Sequence, residues 1–176
     1  NEVNAARLLA KAVAFTEGEE KGTLALEAAP VLKNHDLQQA LHLAEIALAH
    51  FPQKTEVIEV LIGLFTSLKQ RDKAEYYINL LSEEEKQGEK GLHRWLRLYG
   101  LFHDDQASLD LVEKHPSLLE SNDAEVLIDL TWTMIYAGQA EKANGLVQHG
   151  LALPNVSPSQ YARFHYARGA IFNYFY

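Results

Sequence analysis

The chain has 176 residues, a formal net charge of −8 and no cysteine. The acidic balance disfavours non-specific binding to nucleic acids, whose phosphates attract surfaces rich in Lys and Arg. The lack of cysteine excludes disulfides, thiolate zinc sites and a cysteine nucleophile. The sequence also contains no apolar run of about 18 residues, so it predicts no transmembrane helix.

Apolar residues recur with the helical period along most of the chain. The spacing i, i+3, i+4 and i+7 fits Leu41, Ala44 and Leu48, and it returns between Val57 and Leu68. No segment alternates polar and apolar residues as a strand does, so we predict an all-α fold. Near the N-terminus, residues 17–22 (EGEEKG) predict a solvated turn, and Pro30 predicts a helix that kinks or ends there.

Small residues recur at an interval of about 34. Ala74 follows Ala40 by 34 residues, the equivalent place in the next interval is Ser108, and Ala143 closes the series. Small side chains at such points allow two antiparallel helices to cross closely. The pattern therefore predicts a series of similar helix pairs.

The period resembles that of the tetratricopeptide repeat, a helix-turn-helix unit of 34 residues. The resemblance implies a right-handed α-solenoid of antiparallel helix pairs, in four to five repeats, that forms a single domain over residues 1–176. The repeats would cover residues 1–20, 21–54, 55–88, 89–123, 124–157 and, in part, 158–176. A compact helical bundle is the alternative. The residues that match the family pattern are Ile58, Leu61, Ile62, Phe65, Ala74, Ile78, Leu81, Leu92, Trp95, Leu96, Tyr99, Ser108, Val112, Leu127, Leu130, Thr131, Met134, Gly138, Ala143, Val147 and Gly150.

Motifs for catalysis are missing from the sequence. It contains no HExxH, no glycine-rich phosphate loop and no Gly-x-Ser-x-Gly, so we expect neither an enzyme nor a cofactor. The histidines at 35, 42 and 50 are interpreted as ordinary helix residues rather than metal ligands. In the stretch His103 to Asp105, an aspartate is expected to cap the next helix. The charged run from Leu81 to Gly91 is expected to be a solvated loop.

By the same resemblance, residues 2, 5, 9, 12 and 13 of the first helix in each repeat line a concave groove. Along this groove the side chains would change from acidic to basic to aromatic. The candidates are Glu56, Glu59, Lys90, His93, Arg97, Trp132, Tyr136 and Tyr166. The same positions include Glu125, Ile128 and Ile135.

Trp, Tyr and Arg dominate the energetic hot spots of protein interfaces. We therefore expect a non-enzymatic scaffold or adaptor that binds a protein or a peptide, with no direct binding to nucleic acid and no membrane insertion. The alternative is a sensory or effector domain of a larger bacterial regulator, or the helical-repeat part of a chaperone-like protein. The first residue, Asn1 rather than Met, favours a fragment. Both the cytoplasm and the bacterial periplasm stay open as the compartment.

The chain ends in the aromatic stretch YARFHYARGAIFNYFY. In the repeat register this is a first helix without its second. Phe164 and Ile171 are predicted to pack on the preceding repeat. The last aromatic residues, Phe172, Phe175 and Tyr176, are expected to meet a following helix, an N-terminal segment or the second copy of a homodimer.

Overall fold

The computed structural model describes residues 2–175, in which the regular secondary structure is helical and no strand occurs. This confirms the predicted all-α class. The chain divides into two compact bodies, an N-terminal body (Asn1–Lys86) and a C-terminal body (Gln87–Tyr176). Among the described residues, no helix has both the length and the apolar character needed to cross a membrane.

The helices are α1 (Glu2–Ala12), α2 (Gly18–Leu32), α3 (Leu37–His50), α4 (Thr55–Ser67), α5 (Arg71–Leu80), α6 (Glu83–Gln87), α7 (Glu89–Leu101), α8 (Asp105–Lys114), α9 (Ala124–Tyr136), α10 (Ala140–Ala152) and α11 (Pro158–Phe175), with short 3-10 helices at Val13–Phe15 and Pro116–Glu120.

Helices that are neighbours along the chain pack against each other. In the N-terminal body, α2 packs on α3 and α4 packs on α5. In the C-terminal body, α7 packs on α8, α9 packs on α10, and α11 packs on both α9 and α10. This pairing agrees with the predicted helix pairs, while the right-handed solenoid stays a prediction.

The small residues of the 34-residue period lie inside these pairs. Ala40, Ala74 and Ala143 are fully buried, and Ser108 is 1% exposed. They sit on α3, α5, α10 and α8, the second helix of each predicted repeat. The buried apolar residues around them form the cores of the two bodies. The small residues of the 34-residue period thus lie where helices pack closely, as predicted.

The turns inside three pairs share one backbone conformation. Lys69, His103 and Gly138 each follow the first helix of a pair, and their φ angles of 56°, 55° and 73° are left-handed. The amide of the next residue then reaches back to a carbonyl five residues earlier, as in the bond from Gln70 N to Phe65 O at 2.9 Å. This hydrogen bond is typical of a Schellman helix end, where glycine is the preferred left-handed residue. The turn is thus repeated even where the sequence has no glycine.

Helix α2 differs from the sequence-based expectations at two places. Residues 17–22 were expected to form a solvated turn, but α2 begins at Gly18 and carries Glu19 and Glu20 in its first turn, where acidic side chains stabilise the helix dipole. The helix also continues through Pro30 to Leu32, so the proline lies in the last turn rather than ending the helix early.

The charged run from Leu81 to Gly91 contains the short helix α6. Its start is held by a reciprocal pair: the backbone N–H of Ser82 donates to Glu85 Oε2 at 2.9 Å, and that of Glu85 donates to Ser82 Oγ at 3.2 Å. This is the capping-box arrangement. The expected cap in the stretch His103 to Asp105 is confirmed, because the side chain of Asp104 accepts a hydrogen bond from Ala107 N at 3.3 Å.

Candidate functional site

The candidate site lies on the C-terminal body, where α7, α9 and α11 each contribute side chains. Each of these is the first helix of a predicted repeat. Five of the sequence candidates that lie on them are at least partly exposed around this site: His93, Arg97, Trp132, Tyr136 and Tyr166. Lys90 is also exposed, in the first turn of α7. Glu56 and Glu59 are exposed on α4, which belongs to the N-terminal body.

Three aromatic rings form the apolar part of the site. The centroid of Trp132 lies 5.8 Å from that of Tyr136 and 5.7 Å from that of Tyr166. These distances fall in the range of favourable ring contacts. Tyr136 is 53% exposed and Tyr166 is 73% exposed, whereas Trp132 is half-buried between them. We call these three residues the aromatic cluster.

The ring of His103 extends the aromatic cluster at one end. It lies edge-on to Tyr136, with the centroids 6.5 Å apart. His103 is one of the left-handed turn residues. The repeated turn thus places a side chain at the edge of the site.

A polar network lies beside the aromatic cluster and links the three helices. His93 Nε2 donates to Asp129 Oδ2 at 2.9 Å, which joins α7 to α9. Arg163 Nη1 donates to Glu125 Oε2 at 2.7 Å, and Gln160 Nε2 donates to Glu125 Oε1 at 3.0 Å, which join α11 to α9. We call these five residues the polar network. Its two carboxylates therefore have partners on the flanking helices.

The electrostatics of Glu125 follow from this arrangement. Partial burial raises the pKa of its carboxyl group, but the hydrogen bonds from Arg163 and Gln160 and the positive charges of Arg163 and Arg97 outweigh that effect. The pKa of Glu125 is therefore lowered below its ordinary value of 4.5. Arg97 thus acts on α9 through its charge, which ties a second candidate residue, besides His93, to the network.

Other residues expected in the groove are not there. Ile128 and Ile135 were placed in it by position, but they are 1% and 4% exposed and belong to the core of the C-terminal body. The reason is geometric. The face of α9 that carries them is occupied by the neighbouring helices, so the family's position rule is wrong at these two residues.

The sequence candidates missed Asp129, Gln160 and Arg163. Asp129 lies three residues before Trp132 and four after Glu125, a spacing that puts all three on one side of α9. Arg163 lies three residues before Tyr166 on α11 in the same way. The helical period around the aromatic candidates could therefore have found both charged residues.

The described residues show no candidate metal site. Within residues 2–175, no group of three or more His, Asp and Glu side chains is arranged to hold a metal ion. His93 is instead hydrogen-bonded to Asp129, and the ring of His103 lies against Tyr136. The arrangement can hold a ligand by ring contacts and charge.

Comparisons with known proteins add no family to this description. The chain matches no protein-family model, and it shows no significant similarity to a curated protein or to a solved structure. The tetratricopeptide resemblance therefore rests on the sequence alone, namely its period and the residues that match the family pattern.

Proposed function

We propose that this protein is a non-enzymatic binding module that holds a peptide or an extended protein segment across α7, α9 and α11. The observation that carries the proposal is the aromatic cluster. It presents two tyrosine side chains that are more than half exposed, on either side of a half-buried tryptophan. Adjacent exposed aromatic rings mark interaction sites, because covering apolar surface lowers the free energy of the system.

The polar network supports the same proposal. Its carboxylates are already satisfied within the chain, so covering this face does not leave them as lone buried charges, which would be costly. The network also fixes α9 between α7 and α11, which holds the cluster in place before a ligand arrives. A site that is organised in advance loses less entropy when it binds.

Charge on α7 adds a means of attracting a ligand. Lys90 and Arg97 are exposed on this helix, and they stand in a chain whose net charge is −8. A local positive patch of this kind accelerates the encounter with an acidic segment. We therefore expect ligands with an aromatic or aliphatic side chain next to acidic residues.

A selection from a random peptide library displayed on phage tests the proposal with the full chain as bait. Selected peptides should lose at least tenfold in affinity for the Tyr166→Ala variant, because Tyr166 is exposed and its removal takes away ring contact without disturbing the core. Arg97→Ala should weaken the acidic peptides in particular. Tyr76→Ala is the matched control, since Tyr76 is 57% exposed on α5 of the N-terminal body. Equal binding to wild type, Tyr166→Ala and Arg97→Ala would refute the proposed site.

A further inference from the structure

A second surface runs along the outside of α11, apart from the aromatic cluster. Tyr161, His165, Arg168 and Phe172 follow one another at intervals of four, three and four residues, so they lie in one line along the helix. Tyr161 is 50% exposed and Phe172 is 69% exposed. The ring of His165 lies 4.5 Å from that of Tyr161, and Arg168 Nη2 lies 3.0 Å from His165 Nδ1. We call these four residues the α11 stripe.

The equivalent line is largely buried on three of the other first helices, α4, α7 and α9. The fourth, eighth and eleventh residues of α11 are Tyr161, His165 and Arg168, if Pro158 is counted as the first. At the same places α4 has residues that are 4–5% exposed, and α9 has residues that are at most 2% exposed. On α7 the first two are 6% and 1% exposed, and the third, Tyr99, is half-buried. The residues compared are Ile58, Ile62 and Phe65 on α4, Leu92, Leu96 and Tyr99 on α7, and Leu127, Thr131 and Met134 on α9.

Each of these three helices packs against the helix that follows it, namely α5, α8 and α10. Connections of a few residues make such neighbours antiparallel. The α11 stripe thus occupies, within the same architecture, the place that an antiparallel helix covers elsewhere in the chain. A second helix that runs in the opposite direction would therefore fit the stripe.

We propose that this helix is α11 of a second copy, so that two chains associate through their α11 stripes about a two-fold axis. The stripe has the same order of side-chain types in both directions: aromatic, polar, polar, aromatic. Its centre lies between residues 166 and 167, which is also the midpoint of α11 (Pro158–Phe175). Antiparallel pairing therefore sets Tyr161 against the partner's Phe172 and His165 against the partner's Arg168. A two-fold interface requires such self-complementarity.

The charge distribution favours contact at this place. All 24 acidic residues lie at or before Glu141, so α11 has none. Two chains of net charge −8 repel each other least where neither presents a carboxylate. Of the two arginines of α11, Arg163 forms an ion pair with Glu125. In the proposed dimer Arg168 comes within reach of the partner's Tyr161 ring, and the face of such a ring attracts a cation.

Solution mass tests the proposal directly. Sedimentation equilibrium over a range of concentrations should show a dimer, with twice the mass of one chain. Tyr161→Ser combined with Phe172→Ser should return the mass of a monomer. Because both side chains are exposed, the circular dichroism of this variant should be unchanged. Tyr174→Ser is the matched control: Tyr174 is 71% exposed but lies on the other side of α11, and its removal should leave the dimer intact. A wild-type chain that stays monomeric at the highest concentration would overturn the proposal.

Cross-linking tests the antiparallel register independently of the mass. The chain has no cysteine, so each introduced thiol is the only one present. In the proposed register two copies of residue 168 are offset by about 4.5 Å along the helix axis, whereas two copies of residue 161 are offset by about 16 Å, too far for a disulfide. Arg168→Cys should therefore form a disulfide dimer on oxidation, and Tyr161→Cys should form one only when mixed with Phe172→Cys. Efficient cross-linking of Tyr161→Cys to itself would overturn this register.

The proposed dimer and the proposed peptide site use different residues. Tyr166 lies on another side of α11 from the stripe, and Trp132 lies on α9, so the dimer variants leave the aromatic cluster in place. Loss of the dimer with unchanged peptide binding, or the reverse, would separate the two proposals.

Discussion

Gly150 on α10 lies directly against the ring of Phe164 on α11, so closely that a Cβ atom placed on the glycine would stand 2.1 Å from Phe164 Cζ. Phe164 is fully buried. The absence of a side chain at Gly150 therefore allows this ring to fill the core between the two helices. It explains why a residue with poor helix propensity lies inside a helix.

We expect Gly150→Ala to lower the free energy of unfolding of the C-terminal body by about 1–3 kcal/mol, the usual cost of overpacking a core. Gly145→Ala is the control on the same helix, because nothing lies within 4 Å of a Cβ placed there. It should instead stabilise by about 0.5–1 kcal/mol through helix propensity. Urea unfolding of the two variants measures both effects. A Gly150→Ala variant as stable as Gly145→Ala would contradict the close approach.

Ser108 offers a second test of close helix packing. Its hydroxyl is buried and has no hydrogen-bond partner within the described chain, whereas the equivalent residues of the other pairs are alanines. Ser108→Ala should therefore stabilise by about 1 kcal/mol, because a buried polar group without a partner is removed. Ser108→Val should destabilise by about 1–3 kcal/mol if the crossing is as tight as the alanines indicate. Thermal unfolding of both variants distinguishes the polar from the steric effect.

The repeated left-handed turn leads to opposite expectations for two of its residues. A side chain in this conformation costs about 1–2 kcal/mol, which only glycine avoids. Gly138→Ala should destabilise by about that amount, because the φ of Gly138 is 73°. Lys69→Gly should stabilise by up to about 1 kcal/mol, since the relief is partly offset by the flexibility of glycine in the unfolded chain. If both variants shift stability in the same direction, the turn is not the cause.

The lowered pKa of Glu125 predicts how pH affects stability. A folded-state pKa below the ordinary value of 4.5 means that the contribution of Glu125 is fully present above that value. It is lost as the pH falls through the folded-state pKa. Wild type should therefore exceed Glu125→Gln in stability near neutral pH, and the difference should shrink under acidic conditions. It should stay below about 1 kcal/mol, because the side chains of Arg163 and Glu125 are 42% and 35% exposed.

An NMR titration of the Glu125 carboxyl carbon checks the cause of this effect. In the Arg163→Met variant the hydrogen bond and the charge are lost while the partial burial stays, so the pKa of Glu125 should rise relative to wild type. An unchanged pKa would mean that Arg163 does not set it.

The sequence carried most of the information needed for the helix pairs. Close helix crossings require small residues, and the 34-residue interval between Ala40, Ala74 and Ser108 indicated where such crossings occur. Buried matches such as Leu61, Ile78 and Leu127 follow from the same period. Glycine and charge were misleading, because Gly18 and the glutamates after it begin a helix rather than a turn. In contrast, the spacing of Ser82 and Glu85 is a capping-box pattern that could have predicted α6.

The candidate site was predicted only in part. Trp132, Tyr136 and Tyr166 were all named, and the structure brings their rings into contact. His93 and Glu125 of the polar network were named, and helical spacing from Trp132 and Tyr166 could have added Asp129 and Arg163. The pairing of these side chains was missed because it depends on how neighbouring first helices face each other, which the sequence of a single repeat does not contain. Of the C-terminal aromatics, Phe175 packs partly against the core of its own body, whereas Phe172 is 69% exposed, and Tyr176 lies outside the described residues. An outside partner for these side chains stays a prediction.

The two tryptophans of the chain, Trp95 and Trp132, both belong to the C-terminal body. Their fluorescence is therefore a selective optical signal for one half of the molecule, while far-ultraviolet circular dichroism records the helices of both halves. Comparison of the two signals during a single denaturation distinguishes joint from stepwise melting of the bodies. Because Trp132 lies in the aromatic cluster, the same emission gives a label-free signal for any ligand that covers it.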